Sequence, residues 1–323
     1  MVNFQLGVGG HFTLFKGKVD ENLNPITEEY ISDFPNLILD TGLQRMGQSG
    51  DYCRFLHLGT GISEPHRLQA SLDNKVYSGN TRSPILPPAW GFSDVNDPNP
   101  YMHISMRFRV NPQGVNRTYS ELGVGWNNDN LFSRTLIKDV HGNNNTISIL
   151  GDEYLDVLYQ VRFYVTTTTS TGSFTPTGDD VLERTFESKV SRFRSVSFSF
   201  GWAISASANP STNMVPLAVC STWKNNAHCR FFSGQIGEEI TDGPTSVFGS
   251  NFNWSITRLT DTSALFKIVR GLPDSNGTIA GFELSTYMTN FQIAIDPPFV
   301  KTDQDRFEFE WTLSWGRYEG DVT

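Results

Sequence analysis

Apolar and polar residues alternate along most of this chain, the two-residue period of strands with one buried face. The clearest run sets Met102, Ile104, Met106, Phe108 and Val110 against His103, Ser105, Arg107 and Arg109. Residues 11–19 and the turn-rich 20–25 predict a first hairpin. Residues 53–58 predict a short buried strand stopped by Gly59-Thr60-Gly61. Residues 119–126 and 131–138 predict a strand pair joined by 127–130, with a further turn at 139–145 and strand from 147 to 165. One segment departs from this period. Asp40 can cap a helix, Leu43 and Met46 share a helical face, and Gly47 fits the position just past a helix end. Residues 65–72 are read as a second helical turn. The expected fold class is therefore all-β, as two β-sandwich-like domains with one or two short helices in the N-terminal one.

Residues 82–100 hold five of the 16 prolines and predict an irregular loop. Residues 166–180, rich in Thr, Ser, Gly and Pro, predict a linker or long loop. This divides the chain into a β-sandwich domain at 1–165, with its helix near 40–46, and a β-rich domain at 166–323. Val190, Phe193, Val196, Phe198, Phe200 and Trp202 begin the second strand set. Two strands look alike: Leu155, Val157, Tyr159, Val161 and Phe163 share one face, as do Phe307, Phe309, Trp311, Leu313 and Trp315. Either the sandwich is duplicated, or two amphipathic strands resemble each other by necessity. Residues 1–10 are read as an arm that orders only in an assembly.

Composition narrows the function. Aromatics reach 13% while charged residues are only 18%, so Asn, Ser, Thr and Gly must cover much of the surface, and neighbouring subunits are expected to cover some of it. The net charge is −9, and the densest basic stretch, 189–194, alternates with Ser, Val and Phe. Nucleic acid is not expected as a direct partner. Cys53, Cys220 and Cys229 are too few for a disulfide framework and suggest a reducing compartment. The opening residues lack the charge and apolar core of a signal peptide, and no apolar run approaches the ~18 residues of a membrane span.

Four groups of residues bear on chemistry. Cys220, His228 and Cys229 lack the paired spacing of a zinc site. Asp94, Asn96, Asp97 and Asn99 offer oxygen to calcium, though Asx turns explain them equally well. Glu121, Asp152, Glu153, Glu238 and Glu239 are the carboxylates a glycan hydrolase would draw on, but nothing pairs them. Trp90, Tyr101, Trp223 and Trp254 lie near loops and could stack on sugars, or plug sandwich ends. No catalytic, cofactor-binding or metal-binding residue is assigned, and no cofactor and no enzymatic activity are expected. Gly59 and Gly61 are read as a tight turn with positive φ. Gly123 and Gly125 are read as a bulge or close backbone approach covered by Trp126, and Arg134 beside Glu121 as a cross-strand pair.

Several segments together resemble structural, tail-associated virion proteins of tailed bacteriophages: NLILDTGL at 36–43, LGTG at 58–61 followed by Glu64-Pro65, ELGVGW at 121–126, LFSRTLI at 131–137 and ISILGDEYLDVLY at 147–159. PPFVKT at 297–302 with 307–317 is similar to a recurring ending of such proteins. The resemblance covers about 34–165 and, weakly, 290–318. It implies a homo-oligomeric structural protein of the virion, made in the bacterial host cytoplasm. Its partners would be itself and other virion proteins, not a membrane. A tail part (tube, sheath-like sleeve, collar or baseplate) is expected first, a capsid decoration or head fibre second, and an adhesin for host surface glycans third. Residues 82–100 and 166–180 are the expected contact segments.

Overall fold

A computed structural model describes residues 2–48, 52–86, 89–93, 97–165, 170–174, 182–193, 229–237, 245–248, 253–271, 276–285 and 289–320. Strands account for 60% of the described residues and helix for 4%, so the fold is all-β, with sandwich-like packing of several sheets. In chain order the first half holds β1 (Val2–Lys18), β2 (Glu29–Pro35), β3 (Leu37–Ile38), α1 (Asp40–Gln48), β4 (Phe55–Gly59), β5 (Lys75–Gly79), β6 (Ala89–Phe92), β7 (Tyr101–Val110), β8 (Arg117–Tyr119), β9 (Glu121–Gly125), β10 (Leu131–Leu136), β11 (Ile147–Ile149) and β12 (Glu153–Val165). The second half holds β13 (Ser170–Phe174), β14 (Arg184–Phe193), β15 (Cys229–Phe232), β16 (Val247–Phe248), β17 (Asn253–Thr260), β18 (Ser263–Arg270), β19 (Gly277–Ser285), β20 (Thr289–Lys301) and β21 (Phe307–Arg317).

One wide sheet organises the rest. Its order is β17-β18-β21-β1-β12-β7-β6, with β2 paired to the outer part of β1. Strands from both sides of residue 165 therefore share a sheet. A five-stranded sheet, β3-β10-β9-β4-β5, comes wholly from the first half, and a six-stranded one, β13-β14-β20-β19-β15-β16, wholly from the second. Phe4 on β1 stacks on Phe291 of β20 at 3.9 Å, and Phe309 on β21 meets Phe282 of β19 at 4.2 Å. These contacts seat the six-stranded sheet on the β1/β21 half of the wide one. The five-stranded sheet joins the same apolar core through Leu56, Leu58, Leu122, Val124 and Phe132.

The strongest alternation did its expected job: Met102, Ile104, Met106, Phe108 and Val110 are all buried on β7. The hairpin at 11–35, the β9/β10 pair and the turns at 127–130 and 139–145 also form. The two look-alike strands are β12 and β21. They flank β1 in the one wide sheet, β12 antiparallel and β21 parallel to it, so each meets the same environment: a core on one face and β1 at one edge.

Other expectations are corrected. Residues 2–10 are no arm but part of β1. Phe4, Leu6 and Val8 fill the core while Asn3 and Gln5 point away, an alternation masked by the run of glycines around it. The loop at 82–100 contains β6, which pairs with β7. Residues 65–72 form a hydrogen-bonded turn, Gln69 N to His66 O at 2.9 Å, not a helix. Of 166–180, residues 170–174 are a strand paired with β14 and the rest lies outside the described residues, as do residues 194–228. Residues 189–193 belong to β14 by their backbone.

Gly47 is also corrected. It lies inside α1, buried, and is not among the glycines with positive φ. The requirement is space: a Cβ here would sit 2.5 Å from Cζ2 of Trp315. That indole cannot retreat, because its Nε1 donates to Leu43 O at 2.8 Å. Gly→Ala inside a helix ordinarily gains up to about 1 kcal/mol. Here Gly47→Ala is expected to cost about 1–3 kcal/mol by overpacking. A urea midpoint equal to or above that of the parent would show that Trp315 yields.

Candidate functional site

The densest polar chemistry lies where the loops after β4 and before β5 meet the β9/β10 hairpin. Glu121 begins β9 and is fully buried. Its Oε1 accepts from Gly61 N and Asn74 N, both at 2.9 Å, and its Oε2 from Asp73 N at 3.1 Å. Arg134 on β10, also fully buried, grips Oε2 through Nε at 3.0 Å and Nη2 at 2.8 Å. The same guanidinium reaches Gln69 Oε1 at 2.6 Å and Asp73 Oδ2 at 2.7 Å. The Ser63 hydroxyl, which donates to Asp73, and then Arg134 hold the Asp73 carboxyl below its usual range.

The expected cross-strand pair of Glu121 and Arg134 is thus present. The role assigned to Gly59 and Gly61 is not, since neither has positive φ. A Cβ on either would stand 2.4 Å from Glu121 Oε1, so these glycines make room for the carboxylate. The close backbone approach expected at Gly123 and Gly125 is present. The β9/β10 register shifts between Leu131 and Ser133, and added Cβ atoms would strike Ser133 O and Asn130 O. Both Glu121 oxygens accept bonds from within the chain and neither meets solvent. This arrangement braces three backbone segments; it leaves no lone pair aimed at a substrate or an ion.

A second buried charge cluster escaped the sequence reading. Asp156 on β12 takes Arg109 Nε at 2.7 Å on Oδ1, and Arg107 Nε at 2.9 Å, Arg109 Nη2 at 2.7 Å and Ser83 Oγ at 2.6 Å on Oδ2. Arg107 also pairs with Glu28, balancing two cations with two anions. The guanidiniums of Arg107 and Arg109 lie over Phe15 and Tyr154, at 4.5 and 4.1 Å from the ring centres. A signal existed: Asp156 faces Arg109 across β12/β7, and both stand at off-core positions of their strands.

Farther along that outer face, Ser105 Oγ bridges His103 Nδ1 at 3.2 Å and Gln160 Nε2 at 3.3 Å, while His11 Nε2 lies 3.3 Å from Asp33. Burial, then the Arg162 charge, pushes both His11 and His103 down to about 4, against the pull of Asp33 on His11. His57, buried on β4, is pushed to about 4 by burial and then by Lys75.

No protein-family model, curated protein or solved structure matches this chain.

The remaining sequence candidates do not converge. Asp152 pairs with Lys18 at 2.7 Å and Glu153 accepts from Leu150 N at 2.8 Å, so each serves a turn. Glu238 and Glu239 lie outside the described residues. So do Cys220, His228, Asp94, Asn96 and Trp223; of Cys229, Trp90 and Trp254 only the backbone is described, in β15, β6 and β17. Asp97 accepts from Asn99 N at 3.4 Å, as an Asx turn does. Tyr101 is half-buried beneath the Arg162 guanidinium, 4.7 Å from its ring centre. Cys53 is buried in the core.

Proposed function

We propose that the protein is a structural component of a tailed-phage particle, a tail part that works through self-assembly and protein–protein interfaces rather than by catalysis. One observation carries the reading. Three of the segments that resemble phage structural proteins, 58–61, 121–126 and 131–137, meet around the Glu121 carboxylate. Their charged side chains, Glu121 and Arg134, are satisfied within the chain. Residues used in this way fix loop and strand geometry, which is what a repeating building block requires. The wide sheet supports the same reading, because it ties both halves of the chain into a rigid frame for surface contacts.

The test is the mass of the purified protein by light scattering across a concentration range. A defined multimer, or a mass that grows with concentration, is the expected result. A monomer at every concentration would overturn the self-assembling reading.

A further inference from the structure

The chain holds a single Asn-Gly step, Asn276-Gly277, and it stands where β19 begins opposite the end of β20. Gly277 has a φ of +143°, a conformation that a residue with a Cβ rarely adopts. Space is not the reason for this glycine: among the described residues an added Cβ would meet only the Phe248 ring, at 3.9 Å. The backbone therefore requires the one residue whose amide nitrogen has no side chain beside it to shield it. An asparagine that precedes such a nitrogen is open to attack on its own Cγ, which closes a cyclic imide.

A buried cation sits on the reacting group. Lys301, at the end of β20, is only 1% exposed, and its Nζ donates to Asn276 Oδ1 at 3.1 Å and to Thr302 O at 3.2 Å. An ammonium donates only, so it is the oxygen of the Asn276 amide that faces it. The turn that follows anchors this end of β20, because the Asp305 carboxylate accepts from Thr302 N at 2.6 Å and Thr302 Oγ1 at 2.7 Å. Asn276 itself is exposed, so water reaches it and ammonia can leave.

The reaction follows from that placement. The Gly277 nitrogen gives up its proton to solvent base and bonds to Cγ of Asn276. Charge develops on Oδ1, where the Lys301 ammonium stabilises it. The tetrahedral carbon expels the side-chain nitrogen, which takes up a proton and leaves as ammonia. Water then opens the imide. Addition at Cγ restores the main chain and leaves aspartate, whereas addition at the main-chain carbonyl leaves isoaspartate, the chief product in unstructured peptides. Lys301 polarises the Cγ carbonyl and so directs water there. The carboxylate that results is a stronger partner for the buried ammonium than the amide it replaces.

We propose that Asn276 is a self-modification site: the folded protein converts it to aspartate through a cyclic imide, Lys301 steers both steps, and the new carboxylate fastens the start of β19 to the end of β20 by an ion pair. The reaction consumes only water and stands apart from the self-assembling reading above.

Peptide mapping of the full chain by mass spectrometry, fresh and after incubation in warm, mildly alkaline buffer, tests it. The expected result is an acid in place of the amide at position 276, formed faster at higher pH and chiefly as aspartate. The same chain held in urea, where Lys301 no longer faces Asn276, should give chiefly isoaspartate. Lys301→Met keeps an apolar stem and removes the ammonium; it should slow conversion in the folded protein at least about tenfold and abolish the preference for aspartate. Asn276→Asp starts from the product and should raise Tm by about 2–4 °C. An amide that persists in the folded parent would overturn the proposal, as would isoaspartate as its chief product. Ammonia lost without water gained would overturn it too, since that marks an amide cross-link between Lys301 and Asn276. A Lys301→Met protein that converts like the parent would remove Lys301 from the reaction, and an Asn276→Asp protein with unchanged Tm would remove the ion pair; either overturns the proposal as stated.

Discussion

Arg134→Met is expected to lower the unfolding free energy by about 3–5 kcal/mol, because it strands a buried carboxylate. Glu121 and Arg134 are both wholly shielded from water, so solvent cannot replace the lost guanidinium. Gln69 and Asp73 lose the same partner. Replacing both members of a buried pair with apolar residues is often harmless, but not here. Three backbone amides, those of Gly61, Asp73 and Asn74, point at the carboxylate, and each costs about 1–3 kcal/mol if left unbonded. Glu121→Gln with Arg134→Met keeps an amide oxygen for some of them and removes the charge. It should fall between the parent and Arg134→Met. Urea unfolding at neutral pH gives the ranking. An Arg134→Met protein within about 1 kcal/mol of the parent, a difference typical of exposed pairs, would show that the brace is wet.

The second large effect is acid sensitivity above the range where carboxylates titrate. His11, His57 and His103 sit near 4 when folded, against an ordinary 6.5. Their folded pKa values are depressed, so between these limits the unfolded chain binds more protons, and stability falls as pH falls. The contribution is fully present above 6.5, is lost progressively down to about 4, and is constant below. Each histidine accounts for about 3 kcal/mol across that window. The three together rival the ~5–15 kcal/mol that holds a typical domain folded. The exposed acids whose pKa values are lowered, such as Asp20, Asp139 and Asp152, lose their share only below their ordinary carboxylate range. Denaturant midpoints between pH 7.5 and 4.5 should therefore drop steeply, and His103→Gln should flatten the slope. A midpoint unchanged from pH 7 to 5 would mean that these rings are hydrated or already charged.

Much of this architecture was legible wherever burial imposes a single period. β7 and β12 each carry an apolar face that only a core-facing strand explains, and α1 declared itself through Asp40, Leu43 and Met46. The cradle was half legible. Glu121 and Arg134 could be paired from adjacent strands, but the three amides that complete it come from loops whose course depends on the carboxylate they enclose. Glycine misled most. At Gly47, Gly59 and Gly61 its meaning lay in what a side chain would strike, Trp315 or Glu121, and those neighbours are distant in sequence. Residues 2–10 were misread because the neighbour that makes them a central strand, β21, lies at the other end of the numbering.

That pairing sets a schedule for synthesis. Ser314 Oγ reaches Phe4 O across 310 positions of the chain. At 5–20 residues per second, β1 emerges roughly 15–60 s before its parallel neighbour. For that interval β1 can pair only with β2 and, later, β12, and its remaining edge presents open backbone groups. The wide sheet closes last, on its least local contacts, which is the slow route for a β topology. Until β21 is made, the β1 edge over Val2–Val8 has the hydrogen-bonding pattern that β21 will later fill. The yield of folded protein should therefore depend on what shields that edge while the ribosome is still at work.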